Sequence, residues 1–239
     1  MSSPRHACII GATGGIGRAL CEELLSRGWQ VSAGARQAGS IETAGVQPFA
    51  IDIEDEASVR AAAEVLSQQA PLDLLIVATG ILHGAAICPE KTYTVLDPAV
   101  MARVFSVNAI GPAIVGKHFA ALLSREGQPV FAAISARVGS IADNRLGGWH
   151  SYRASKAALV MLMRNFAIEL KRRKHPAVVL SLHPGTVDTA LSEPFQANLP
   201  DGQLTEPREC ARNLLSVIDA AKPEDSGKHL AWDGEAIPG

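Results

Sequence analysis

His6-Ala7-Cys8-Ile9-Ile10-Gly11-Ala12-Thr13-Gly14-Gly15-Ile16-Gly17 begins as an apolar run and breaks into glycines. From Arg18 to Arg27 apolar residues return at Ala19, Leu20, Leu24 and Leu25 with helical spacing, so the order is strand, glycine turn, helix. Gly11, Gly15 and Gly17 stand where a strand ends and a helix begins, the context that gives a glycine pattern meaning. Glycine lets backbone approach a pyrophosphate, and a helix N-terminus supplies unpaired N–H groups and positive potential. The stretch predicts a dinucleotide-binding unit; the plainer alternative is a glycine-rich turn.

Outward from it, strands and helices alternate. Gln30 to Ala35 reads as a second strand, Gln47 to Ile53 as a third, and Asp55 to Gln69 as a helix stopped by Pro71. Leu72 to Ala78 is apolar but for Asp73, as a buried parallel strand is along most of its length. Pro98 to Leu123 predicts a long helix with an irregularity at Gly111-Pro112, and Val130 to Ser135 a fifth strand. A polar loop, Arg137 to His150, leads to a helix running to about Lys174, then a sixth strand at Ala177 to Leu182. Asp188 to Glu206, with Ser192, Pro194, Asn198 and Pro200 along it, reads as a mobile flap, followed by a helix from Pro207 to Ala220 and a last strand at His229 to Trp232. This order predicts an α/β fold, a Rossmann-type doubly wound parallel sheet with helices on both faces, in one domain over residues 1–239.

An acidic residue about 20 positions past the glycine turn suits the 2′-hydroxyl of NAD, and an arginine there suits the 2′-phosphate of NADP. From Leu24 to Ile41 there is no Asp or Glu, and Arg36 stands just past the second strand. NADP(H) is therefore expected. Arg18 either adds to phosphate binding or faces solvent. Asp52, at the end of the third strand, is placed to contact adenine, with Ile53 beside it.

A second motif lies in Ser151-Tyr152-Arg153-Ala154-Ser155-Lys156. If helical, Tyr152 and Lys156 are one turn apart, ~6 Å along the axis, and share a face. Lowering a tyrosine pKa from about 10 to about 7 takes roughly 4 kcal/mol, which a lysine charge about 4 Å away at an effective dielectric of about 20 can supply. The pair then works as an acid/base near neutrality. Alone, the spacing also fits a surface pair on a helix.

Composition narrows the remaining classes. With 239 residues, 47% of them hydrophobic, and a net charge of −2, the chain can bury a full core and lacks the basic excess of a nucleic-acid or membrane-surface binder. The one basic run, Lys171 to His175, suits a helix C-terminus ahead of Pro176. Cys8, Cys21, Cys88 and Cys210 have no metal-like spacing and follow no secretory signal, so reduced thiols and a cytoplasmic location are expected, with no metal. No apolar run was expected to reach the ~20 residues of a membrane span.

Glycine turn and Tyr-x-x-x-Lys, in this order, make the chain resemble the short-chain dehydrogenase/reductase family over essentially its whole length. Gly11-Ala12-Thr13-Gly14-Gly15-Ile16-Gly17 is similar to the cofactor turn, with Ile10 where a threonine is usual. Val77-Ala78-Thr79-Gly80 occupies the place of the family's Asn-Asn-Ala-Gly and keeps only the glycine, which puts Ala78, Thr79 and Gly80 beside the cofactor. Asn108 resembles the helix asparagine that holds a water on the proton relay. Pro184-Gly185-Thr186-Val187-Asp188-Thr189 resembles the segment gripping the nicotinamide carboxamide and pyrophosphate, through Pro184, Gly185, Thr186, Val187 and Thr189. The family's serine register falls on Ala136, with Ser135 one place earlier, and successive strand residues face opposite ways. Three arrangements stay open: a bulge turns Ser135 inward, Ser140 serves, or Tyr152 alone holds the substrate oxygen. Ser135 ranks first.

Ile134 to Ile141, Asp143 to Trp149 and Trp232-Asp233-Gly234 are similar to the C-factor-like and sniffer-type carbonyl reductase branch. The resemblance implies NADPH-dependent reduction of a small ketone or aldehyde. Catalysis would rest on Tyr152 as proton donor with Lys156, Asn108 and Ser135, in a homo-oligomer, dimer or tetramer. Leu82, His83, Trp149 and Phe195 are candidates for an apolar or aromatic substrate wall. The alternative is an NAD(P)H-binding sensor or signalling protein with little turnover; a nucleotide-sugar epimerase lacks the chain for a substrate domain.

Overall fold

The first strand, β1 (His6–Ile10), pairs in parallel on both sides, with β2 (Gln30–Ala35) and β4 (Leu74–Val77). With β3 (Gln47–Ala50), β5 (Val130–Ile134), β6 (Val178–His183) and β9 (His229–Ala231) these strands form one sheet of order β3-β2-β1-β4-β5-β6-β9, every pairing parallel. The chain thus winds outward from β1 in one direction and from β4 in the other, the doubly wound arrangement expected from the sequence. A separate two-stranded piece joins β7 (Thr186–Val187) to β8 (Leu204–Thr205). These coordinates are a computed structural model describing residues 4–85, 87–198, 200 and 202–239; Leu199 and Asp201 of the expected flap lie outside the described residues.

Alternation along each strand builds two cores. Ala7 and Ile9 of β1, with Ala132 and Ile134 of β5, face α1 (Gly15–Ser26) and α6 (Pro207–Ala220) through Leu20, Leu24, Leu214 and Ile218. Cys8, Ile10, Phe131 and Ala133 face the other way, against α2 (Glu56–Leu66), α4 (Gly111–Phe119) and α5 (His150–Arg172) through Val59, Phe119, Leu159 and Met163. Burying a side chain of this kind contributes about 1.5–3 kcal/mol.

The third strand stops three residues short of its expected end. Ile51 still donates to the Ala35 carbonyl at 2.9 Å, but Asp55 N returns to the Asp52 carbonyl at 3.1 Å and turns the chain into α2, which the Asp55 side chain caps at Ala57 N. The long helix expected over Pro98 to Leu123 is α3 (Pro98–Phe105), a π turn at Ser106–Ile110, and α4. Its irregularity therefore precedes Gly111, whose missing Cβ lets Ile53 pack against the helix. One correction concerns membrane-spanning length. The stretch Pro98–Leu122 is long and apolar enough to cross a bilayer by length and composition, with 44% of its most apolar window buried. Here Val104, Val107, Val115 and Phe119 lie buried in the fold.

Candidate active site

Helix α5 opens in an unusual way. Gly147, Gly148 and Trp149 all have positive φ, at 64°, 63° and 47°, and a left-handed conformation costs a residue with a Cβ about 1–2 kcal/mol. Trp149 keeps it while donating its backbone N–H to the Glu90 carbonyl at 2.5 Å. The buried Glu90 carboxylate accepts from Ser151 N at 3.2 Å and from the Ser151 hydroxyl. Burial works against its charge, but the Ser151 hydroxyl, backbone N–H groups and His150 outweigh that effect and hold the carboxyl below its usual value. A carboxylate at a helix N-terminus also meets the positive end of the dipole.

One residue on, Tyr152 is buried at 8% exposure and Lys156 at 2%. The Lys156 ammonium donates to the Ile134 carbonyl at 2.8 Å and sits 5.8 Å from the Tyr152 ring centroid. Here the expectation of a tyrosine drawn down to neutrality is not met. Burial pushes the phenol up to about 12 and brings the ammonium down to about 8. Desolvation disfavours both charged forms, and at this separation it outweighs the attraction between them. Around neutral pH the phenol is therefore protonated.

Asn108 lies in the π turn and is fully buried. Its amide accepts from Ile81 N at 2.8 Å and donates to Ile81 O at 2.9 Å and Ser155 Oγ at 3.1 Å. Ser155 in turn donates to the Tyr152 carbonyl at 2.8 Å. Both amide N–H bonds and one oxygen lone pair are thus committed to protein. A water on Asn108 would have to use the remaining lone pair or the main chain.

Of the serines, Ser135 lines the cleft with a buried Oγ that has no hydrogen-bond partner among the described residues. Strict alternation from Phe131 and Ala133 puts it on the face that α5 covers, so no bulge is needed. Ser140 is outside the cleft lining and is engaged elsewhere, accepting from Asp143 N at 3.0 Å and donating to the Pro238 carbonyl. Ala136, in the family register, lines the cleft with a methyl group.

The cleft, about 630 Å³, brings together Tyr152, Lys156 and Ser135 with Gly14, Gly15, Ile16, Ala78, Thr79, Gly80, Pro184, Gly185, Thr186, Val187 and Thr189. Gly11, Thr13 and Gly17 belong to the same turn but do not line it, and Gly11 N and Ala12 N both donate to the Gly34 carbonyl. Arg36 is exposed two residues past Gly34, outside the cleft lining; half-buried Asp52 also lies outside it, its carboxylate accepting from Glu54 N at 3.1 Å. The Ile53 side chain is core, so it can serve a ligand only through its backbone. Arg18 pairs with Glu42 at 3.2 Å in solvent. A nucleotide fits these residues: Gly15 opens α1 without a side chain or an acidic first turn, and Thr79 Oγ1 is a buried polar atom without a protein partner.

The opposite wall is aromatic. Trp149 meets Tyr152 edge-on at 6.2 Å and Phe195 at 4.9 Å, and Phe195 meets His83 at 5.8 Å. His83 Nε2 bonds the Ala190 carbonyl at 3.0 Å, and Leu82 completes the wall. The expected flap carries structure of its own, a 3-10 turn at Glu193–Asn198 and the β7–β8 pairing. Glu90 and Ser155 escaped sequence reading. Ser155 stands inside the Tyr-x-x-x-Lys motif, three residues past Tyr152; Glu90 carries no pattern.

Residues 5–200 match the family described as short chain dehydrogenase. The 1-hydroxy-2-glutathionyl-2-methyl-3-butene dehydrogenase of Rhodococcus sp. strain AD45 is 33% identical over 229 residues, 95% of this chain and 96% of its own. The C-signal of Myxococcus xanthus is 37% identical over 168 residues, 70% of this chain and 93% of its own. The NADPH-bound carbonyl reductase from chicken fatty liver superposes with a TM-score of 0.83 at 26% identity, covering 99% of this chain and 100% of that one. With its glycine turn, its Tyr-x-x-x-Lys helix and these relatives, the chain belongs to the short-chain dehydrogenase/reductase family of NAD(P)-dependent oxidoreductases.

Proposed function

We propose that the protein reduces a small ketone or aldehyde with NADPH, Tyr152 giving the proton. The observation that carries this reading is geometric: the buried Tyr152 phenol and the Lys156 ammonium lie in the same cleft as the glycine turn. The bound nicotinamide supplies the hydride. Tyr152 donates to the carbonyl oxygen as negative charge gathers there, Lys156 steadies the phenolate left behind and holds a ribose hydroxyl, and the unpartnered Ser135 hydroxyl is the donor that polarises the carbonyl. Asn108 and Ser155 keep the start of α5 in register with the loop at Ile81. The glycine turn, with Ala78, Thr79, Gly80 and Pro184 to Thr189, holds the nucleotide, and Arg36 takes the 2′-phosphate. The NADPH-bound chicken carbonyl reductase supports this choice of cofactor. The aromatic wall favours an apolar or aromatic carbonyl compound. A cytoplasmic dimer or tetramer belongs to the same reading and is checked by fractionation and light scattering.

Tyr152→Phe tests it. Turnover of carbonyl compounds should fall by about 100-fold or more, the usual contribution of a positioned acid, with NADPH binding nearly unchanged. Substantial residual turnover would remove Tyr152 from its role. The methyl group of Ala136 at the serine register, together with the likeness to C-signal, favours a second reading, a nucleotide sensor with little turnover. Tight NADPH binding without reduction of any carbonyl compound in a broad screen would select it.

A further inference from the structure

We propose that Glu90 is a positioning residue that fixes Trp149 as the specificity wall of the cleft, so that carbonyl compounds bearing a flat ring are preferred over open-chain ones. The proposal rests on the reductase reading above and names the substrate class for that site.

Glu90 lies outside the cleft lining, in the loop between β4 and α3, yet it is buried at 5% exposure. Among the described residues its carboxylate pairs with no cation; its partners are Ser151 N and Ser151 Oγ at the start of α5. Its backbone carbonyl takes the N–H of Trp149. One residue therefore grips the chain on both sides of His150, where Trp149 is left-handed and Ser151 is helical. Gly148, beside this grip, has a φ of 63°, a left-handed conformation that glycine adopts without a Cβ penalty.

Trp149 would not hold this conformation by its own preference. An unrestrained tryptophan favours negative φ, and relaxing to it would re-aim the Cα–Cβ bond that places the indole. Held as it is, the indole meets Tyr152 edge-on and lies tilted against Phe195, so the acid that protonates the carbonyl oxygen adjoins a surface for a ring attached to that carbonyl. Aromatic groups prefer such offset and edge-on contacts, which an open-chain substituent does not make. Tyr152 makes no hydrogen bond of its own to Glu90 among the described residues, and its carbonyl takes the Ser155 hydroxyl at 2.8 Å within α5, so loss of the grip should alter ring recognition ahead of the chemistry.

Glu90→Ala and Glu90→Gln are compared with the wild type, using acetophenone and an aliphatic aldehyde as substrates. A parallel fluorescence arm uses Trp29→Phe with Trp232→Phe, which leaves Trp149 as the single tryptophan. In Glu90→Ala the KM for acetophenone should rise about tenfold, the scale of lost aromatic contacts, while its kcat and the kinetics with the aldehyde change by less than about twofold. Trp149 emission should shift to the red and quench more readily with acrylamide. Glu90→Gln, which retains an acceptor for Ser151, should restore most of both readouts. Equal losses for the two substrates, or an unchanged Trp149 signal in a variant that still binds NADPH, would reduce Glu90 to a helix cap and overturn the proposal. If the wild type reduces neither these two nor any other compound of the broad screen, the reductase reading fails, and the fluorescence arm with acetophenone as quencher still decides whether Glu90 orders a ring-binding wall.

Discussion

A Cβ built on Gly17 would stand 2.2 Å from the carbonyl oxygen of Gly11. Backbone is the obstacle, so no rotamer change relieves it, and α1 can sit on the turn only because position 17 is bare. Gly17→Ala should destabilise the protein by about 1–3 kcal/mol and weaken nucleotide binding through displacement of the α1 N-terminus. Thermal unfolding with and without NADPH checks both. An unchanged melting temperature would mean that the turn has room this geometry denies it.

Arg36 is exposed beyond the end of β2 and makes no hydrogen bond or ion pair among the described residues. Its removal should therefore cost little stability. Arg36→Ala is expected to weaken NADPH binding by about 10- to 100-fold, the scale of a charge-assisted contact of about 1.5–3 kcal/mol, and to leave NADH binding unaltered. Fluorescence titration with the two nucleotides reads the ratio; equal losses would assign Arg36 no part in cofactor choice.

The Lys156 ammonium, brought down to about 8 by burial, is expected under the proposed mechanism to set the alkaline limb of the rate profile. It is charged below that value and neutral above it. Reduction should hold level through neutrality and fall as pH rises past about 8, because the group that steadies the phenolate loses its charge. Nucleotide binding shifts the midpoint, so kcat/KM for the carbonyl compound is to be measured at saturating NADPH and compared with nucleotide binding by the free enzyme over the same range. A flat profile to pH 10 would dissociate Lys156 from the step.

Acid should unfold the protein through a different pair. His183 and His229, on neighbouring strands, are both lowered to about 4, chiefly by burial, and stay neutral in the folded state. Unfolded, they take up protons near pH 6.5. Between those values the unfolded state binds more protons, so stability is lost as pH falls from 6.5 toward 4, by at most about 3 kcal/mol per histidine. Denaturant melts across this range should show the loss, and His229→Gln should flatten it.

The residues differ in how much of their role was legible in the sequence. Gln30 to Ala35 and Pro207 to Ala220 form their elements with the expected bounds, because apolar periodicity and a proline at the helix start act locally. The irregularity expected at Gly111-Pro112 lies earlier, as a π turn at Ser106–Ile110, in which Asn108 reaches Ile81 and Ser155, partners that no local preference announces. Spacing alone put Tyr152 and Lys156 on one face of α5, but the direction of the phenol's shift depends on burial, which spacing does not carry. Ser135 turned out to need no bulge, because the face it occupies is fixed by the strand before it. Glu90 left no trace: its partners lie 61 positions away at Ser151, and a single acidic residue in a loop has no periodicity to betray it.

Asn108 leaves a lasting mark on how this scaffold can diversify. Its amide ties the Ile81 peptide, the π turn and, through Ser155, the helix of Tyr152 into one unit that carries the reacting groups. The roof over that unit comes from other stretches of chain, Trp149 and the segment containing Phe195. On the proposed reading, substitutions in the roof should exchange one substrate for another while the unit beneath keeps its hydrogen bonds, so a laboratory library confined to residues 146–149 and 188–206 is expected to alter specificity before chemistry.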